Sequence, residues 1–111
     1  MDGIMLIDKP TDLTSHKVIE IIRKKLNIKK VGHAGTLDPL ATGLLIIMVG
    51  KTTKLSNFLT SQFKTYQVEM ELFIETESGD ITGKISKKEE VRKFEERKVQ
   101  EVINSFNDYT Y

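Results

Sequence analysis

Apolar and polar positions change their spacing several times along this chain, and each change marks an element. Ile4 to Ile7 is a short apolar run ended by Asp8-Lys9-Pro10, which predicts a short buried strand. Val18, Ile22 and Leu26, with Ile19 beside them, recur at helical spacing behind Thr14-Ser15, an N-cap signal. Arg23, Lys24 and Lys25 fall in the last turn, where cations suit the helix dipole, so a helix is expected over about 15–27. Residues 29–42 lack either period and are expected to form a loop. Leu44 to Val49 is continuously apolar between Gly43 and Gly50, the pattern of a strand covered on both faces. Leu55, Phe58 and Leu59 predict a short amphipathic helix over about 52–61.

Period two appears once, over a longer stretch. Tyr66, Val68, Met70, Leu72 and Ile74 alternate with Thr65, Gln67, Glu69, Glu71 and Phe73, which predicts a long strand with one core face. TESGDITG at 76–83 is rich in turn residues, and Ile81 to Ser86 is a candidate short strand. The charged run KKEEVRKFEERK is expected to be a solvated segment leading into a helix, whose apolar face is Val99, Val102, Ile103 and Phe106. The ending FNDYTY places Tyr109 and Tyr111 two apart after Asn107-Asp108, like the first residues of a further strand. The expectation is therefore the front portion of a longer protein.

Composition narrows the chemistry. A length of 111 residues makes one domain the default, and 39% hydrophobic with 30% charged residues fits a globular protein. The net charge of +1 carries no global nucleic-acid signal; the dense basic cluster is local, at Arg23, Lys24, Lys25, Lys29 and Lys30. That cluster suits either a phosphate backbone or a plain polar helix end. Cysteine is absent, which removes disulfides, thiolate catalysis and thiolate-ligated metals and fits a reducing cytoplasm. The N-terminal stretch is not a secretory signal, and LLIIMV at 44–49 is far too short to span a bilayer.

The candidate chemistry lies in GTLDPLATG, residues 35–43. Pro39 pushes Asp38 toward extended backbone and has no N–H of its own. Gly35 and Gly43 permit positive φ or close approach. Asp38 is thereby presented rigidly just ahead of a buried strand, a place where binding and catalytic groups often stand. Asp-Pro is also a common turn starter, and the spacing leaves both readings open. The loop offers no second acid for paired-carboxylate chemistry, and His33 with Asp38 does not make a metal site. A lone carboxylate nucleophile stays open. Phosphate-binding motifs are absent. Tyr66 begins the core face of the alternating stretch, suited to packing or to stacking on a base.

Several stretches occur in an order that resembles the N-terminal part of the TruB-type tRNA pseudouridine synthases, the pseudouridine-55 synthase family. They are LIDKPTDLTSH at 6–16, VGHAGTLDPLATGLL at 31–45, GKTTK at 50–54, KTYQV at 64–68 and TESGDITG at 76–83. The resemblance implies an α+β fold, a partial catalytic domain with a mixed, mostly antiparallel sheet and flanking helices. It implies isomerisation of uridine 55 in the tRNA T-loop to pseudouridine, with no cofactor and no metal, in the cytoplasm, on tRNA held by its T-arm and with no membrane partner. Asp38 would be catalytic. Tyr66, His33, Lys9, Lys54 and Asp80 would form the substrate-binding set: Tyr66 stacking on the target base, His33 engaging the T-loop, and Lys9 with Pro10 supporting the catalytic loop more than sharing in the chemistry. Asp12 stands where the family usually has glycine, and neither Arg23, Arg92 nor Arg97 lies in the motif that supplies the family's arginine partner for the aspartate. The rest of the catalytic domain and a C-terminal RNA-binding domain are expected to be missing. The alternative is an RNA-binding module that grips the T-arm without chemistry.

Overall fold

Strand β3 (Gly43–Val49) is the centre of a three-stranded sheet in the computed structural model, which describes residues 1–110. β1 (Gly3–Lys9) pairs with it antiparallel, with Gly3 opposite Val49 and Lys9 opposite Gly43. β2 (Val31–Ala34) pairs antiparallel on its other side, with Val31 opposite Val49 and Ala34 opposite Ile46. Every strand pair among the described residues is antiparallel. β2 lies inside the stretch expected to be loop. Four residues with a glycine and a histidine carry no readable period, and it is the free edge of β3 that recruits them.

Helix α1 (Ser15–Leu26) covers one face of this sheet. Its boundaries match the sequence expectation. Thr14 is the cap, its hydroxyl accepting from the Lys17 N–H, and Asn27 closes the far end in the left-handed region with φ 53°. Val18, Ile19 and Ile22 pack with Val31, Leu45, Ile47 and Val49, and Leu37 from the following loop joins the edge of that cluster. Ile47 is fully buried, and burial of such a side chain contributes about 2 kcal/mol. On the opposite face Met48 is buried, but Ile4, Leu6 and Leu44 are about half or more exposed, so β3 is not covered on both faces throughout its length.

After β3 the chain makes a 3₁₀ turn over Gly50–Leu55 and then the short helix α2 (Ser56–Thr60), where a single helix was expected. The Thr52 side chain bonds the carbonyls of Gly3 and Val49 and the Val49 N–H, which tightens this first turn.

The chain divides into two compact units, the first Met1–Gln67 and the second beginning at Val68. In the second, β4 (Ile74–Thr76) pairs antiparallel with β5 (Ile85–Lys88), with a register irregularity between Glu75 and Thr76, and α3 (Glu96–Asn104) follows. Only Ile74 of the alternating stretch is in a strand. Residues 65–73 are not extended in a ladder, and Tyr66, Val68 and Met70 are exposed. Alternation sets the two faces of a strand but supplies no neighbour to bond its backbone, and no described strand pairs with 65–72; only Phe73 O, next to β4, accepts the Glu89 N–H at 2.8 Å. Phe73, at φ 68°, also turns the backbone just before β4. Tyr109 belongs to no strand, and Tyr111 lies outside the described residues.

Candidate active site

The loop 35–42 runs from the end of β2 to the start of β3. Gly35 and Gly43 bracket it with φ of 88° and 131°, conformations that L side chains rarely adopt. Asp38 stands exposed at its middle, and its carboxylate accepts no hydrogen bond and joins no ion pair among the described residues. What is held is the backbone on either side of it.

Leu37, just before Asp38, is held at three points. Its side chain packs against the core cluster, its N–H donates to Ser15 Oγ at 3.0 Å, and Ser15 Oγ–H donates back to its carbonyl at 3.1 Å. Pro39, just after, has its carbonyl claimed twice, by the Asp12 N–H at 2.7 Å and by Lys9 Nζ at 3.2 Å. Thr11 Oγ1 reaches Leu40 O at 3.0 Å, and Asp38 O accepts the Ala41 N–H at 3.0 Å. All the long-range partners come from one short segment, Lys9 at the end of β1, Thr11 and Asp12 in the turn, and Ser15 at the start of α1. That segment is thus the mould for the loop, and it acts through hydroxyls, one ammonium and one backbone amide.

Asp12 explains how this chain tolerates a non-glycine at that turn. It sits at φ 65°, in the left-handed region that Asp and Asn enter more readily than other L residues. In that conformation its N–H donates to the Pro39 carbonyl at 2.7 Å.

Lys9 is completely buried. Its ammonium bonds the carbonyls of Pro10 at 2.8 Å, Leu13 at 2.7 Å and Pro39 at 3.2 Å, so all three donors are used. A lysine grouped with substrate contacts therefore has no donor left for a bound molecule, and its place in the fold is that of a loop support. His33 is half-buried on β2, with Nδ1 2.8 Å from Gly35 O. A carbonyl only accepts, so Nδ1 carries the proton and Nε2 is the atom the ring can offer elsewhere.

The other candidates are less closely placed. Tyr66 is 64% exposed near the end of the first unit. Two residues before it, the Lys64 stem runs beside Gly35, close enough that a Cβ there would lie 3.3 Å from Lys64 Cε. Lys54 is exposed on the 3₁₀ turn. Asp80 belongs to the second unit, where its carboxylate accepts from Thr82 Oγ1, Ser78 Oγ and the Thr82 N–H. These bonds, Thr82's side chain first, hold it below the ordinary carboxylate value. The basic cluster lies at the opposite end of α1 from Ser15, where Arg23, Lys24 and Lys29 line a hollow of about 420 Å³ that Asp38 does not border, and Arg23 bonds Val31 O at 3.0 Å.

Two loop-holding residues, Thr11 and Ser15, escaped the sequence reading. Ser15 was absorbed into a cap signal that Thr14 alone satisfies. Two hydroxyl residues in a row where a helix needs one cap is the signal that pointed to a second task.

No group of three or more His, Asp or Glu side chains among the described residues could hold a metal ion. What the loop presents is one accessible carboxylate on a fixed backbone, able to attack an electrophile or accept a proton.

A family model described as TruB family pseudouridylate synthase (N terminal domain) matches residues 23–111. The tRNA pseudouridine synthase B of Mesoplasma florum is 44% identical over 109 residues, 98% of this chain and 38% of that protein. The tRNA pseudouridine synthase B of Caldicellulosiruptor saccharolyticus is 54% identical over 85 residues, 77% of this chain and 29% of that protein. A solved structure of an H/ACA RNP bound to a substrate RNA containing 2'-deoxyuridine aligns with half of this chain and 18% of that one, at 43% identity and a TM-score of 0.49. The chain thus spans well under half the length of these relatives.

Proposed function

We propose, because the chain belongs to the TruB family of pseudouridylate synthases, that it carries the reacting carboxylate of an enzyme converting a uridine of tRNA to pseudouridine. The observation that supports this best is Asp38: an exposed carboxylate on a backbone clamped at Leu37, Pro39 and Leu40. In this reading the chain is the front portion of a catalytic domain, working in the cytoplasm on uridine 55 of the T-loop, with tRNA held by its T-arm.

The chemistry asks little besides placement. The N1–C1′ bond breaks, a C5–C1′ bond forms, C5 loses its proton and N1 is left with one. No electrons are gained or lost overall, so no oxidant or reductant is needed. Asp38 acts either by attacking the nucleotide or by removing a proton. The uridine must first leave the stack, which costs a few kcal/mol. Tyr66, exposed and following the segment beside Gly35, is the ring to stack on the flipped base. His33 offers Nε2 to the T-loop, and Lys54 and Asp80 are secondary candidates for contact with the substrate.

The test is pseudouridine formation in unmodified tRNA. It uses this chain alone and a chimera carrying these residues in place of the matched segment of the Mesoplasma florum relative. Pseudouridine in the T-loop supports the reading. Tight T-arm binding by the chimera with no pseudouridine favours a binding module without chemistry.

A further inference from the structure

We infer that Ser15 is a positioning residue for Asp38. It stands at the start of α1, where a serine hydroxyl ordinarily faces solvent or caps the helix. Here Thr14 is the cap and Ser15 is 2% exposed. Its hydroxyl closes a two-way link with Leu37, accepting from the N–H and donating to the carbonyl. Both polar groups of the peptide residue before Asp38 are therefore satisfied by one side chain 22 positions earlier. The Leu37 side chain is seated in the core cluster, so the residue is fixed on its apolar and its polar sides together. Pro39 restricts Asp38 from the other direction. With Leu37 held, the Cα–Cβ direction of Asp38 is set by the fold. A displacement near 1 Å at a reacting group lowers rates by about a hundredfold.

This rests on Asp38 being the reacting carboxylate, and two measurements keep the two claims apart. The first is amide hydrogen exchange on the 111-residue chain. Ser15→Ala raises exchange at the Leu37 amide at least tenfold while β1 and β3 amides stay protected. Thr14→Ala, which removes the actual cap, raises exchange at Lys17 and leaves Leu37 alone. The second is kinetics in the chimera. Ser15→Ala lowers kcat by about 10- to 100-fold at unchanged KM. Ser15→Thr, which keeps the hydroxyl, recovers most of kcat. Thr14→Ala lowers the melting temperature at least as much as Ser15→Ala but leaves kcat within twofold. Unchanged Leu37 exchange in Ser15→Ala, or a kcat fall no larger than that of Thr14→Ala, overturns the proposal. If the unsubstituted chimera makes no pseudouridine while Leu37 exchange rises selectively, the functional reading fails and the link to the loop stands.

Discussion

Lys9 and Pro39 are 30 residues apart in sequence, and the buried ammonium of the first lies 3.2 Å from the carbonyl of the second. The same ammonium ties Pro10 and Leu13, so one cation joins the end of β1, the turn before α1 and the loop carrying Asp38. Removing it strands the carbonyls of Pro10 and Leu13 and leaves Pro39 O with only the Asp12 N–H. Lys9→Met costs about 3 kcal/mol, measured by urea unfolding, because hydrogen bonds to a charged group are worth more than neutral ones and their loss leaves carbonyls unpaired. Lys9→Arg does not restore stability, since a planar guanidinium does not fit a site built around a compact ammonium. A loss below 1 kcal/mol for Lys9→Met shows that water takes over these carbonyls without difficulty.

Asp12 tests the shape of the same turn. Its left-handed backbone places its N–H on Pro39 O. Asp12→Gly keeps that conformation and leaves stability within about 0.5 kcal/mol. Asp12→Val costs about 1–2 kcal/mol and loosens the Pro39 end of the loop, read by thermal unfolding and by exchange at the Asp12 position. Equal stability of the two variants contradicts this.

Asp80 gives a pH prediction confined to its own turn. Thr82's hydroxyl, Ser78's hydroxyl and the Thr82 N–H favour the carboxylate and lower its pKa from 3.8. A group depressed on folding contributes stability above its unfolded value, and that contribution is lost as pH falls through the folded one. The window is therefore below 3.8. Thr82→Val, which deletes the largest cause, moves the Asp80 carboxyl titration seen by NMR back toward 3.8. An unmoved midpoint refutes the assignment of cause.

Elements with a local cause were legible in the sequence. The Thr14 cap and the Val18-Ile22 spacing placed α1, and the glycines at 35 and 43 do adopt positive φ. The Asp38 loop was visible because proline and glycine announce backbone control. Elements decided by a neighbour were not. β2 exists because β3 has an edge to pair, whereas the stretch from Tyr66 to Leu72 has the better pattern and no partner among the described residues. The link between Ser15 and Leu37 was hidden for a similar reason, since a hydroxyl's second partner is chosen by packing and leaves no period behind.

Asp38 as the reacting carboxylate is tested most directly by release of tritium from tRNA labelled at uridine C5, with the chimera and its Asp38→Asn variant. Asparagine keeps the size and the clamped backbone but can neither attack nor accept a proton in the same way. The unsubstituted protein should release one tritium per T-loop uridine converted, and the variant should bind the tRNA with similar affinity and release none above background. Release by Asp38→Asn at a rate comparable to the parent would contradict the account.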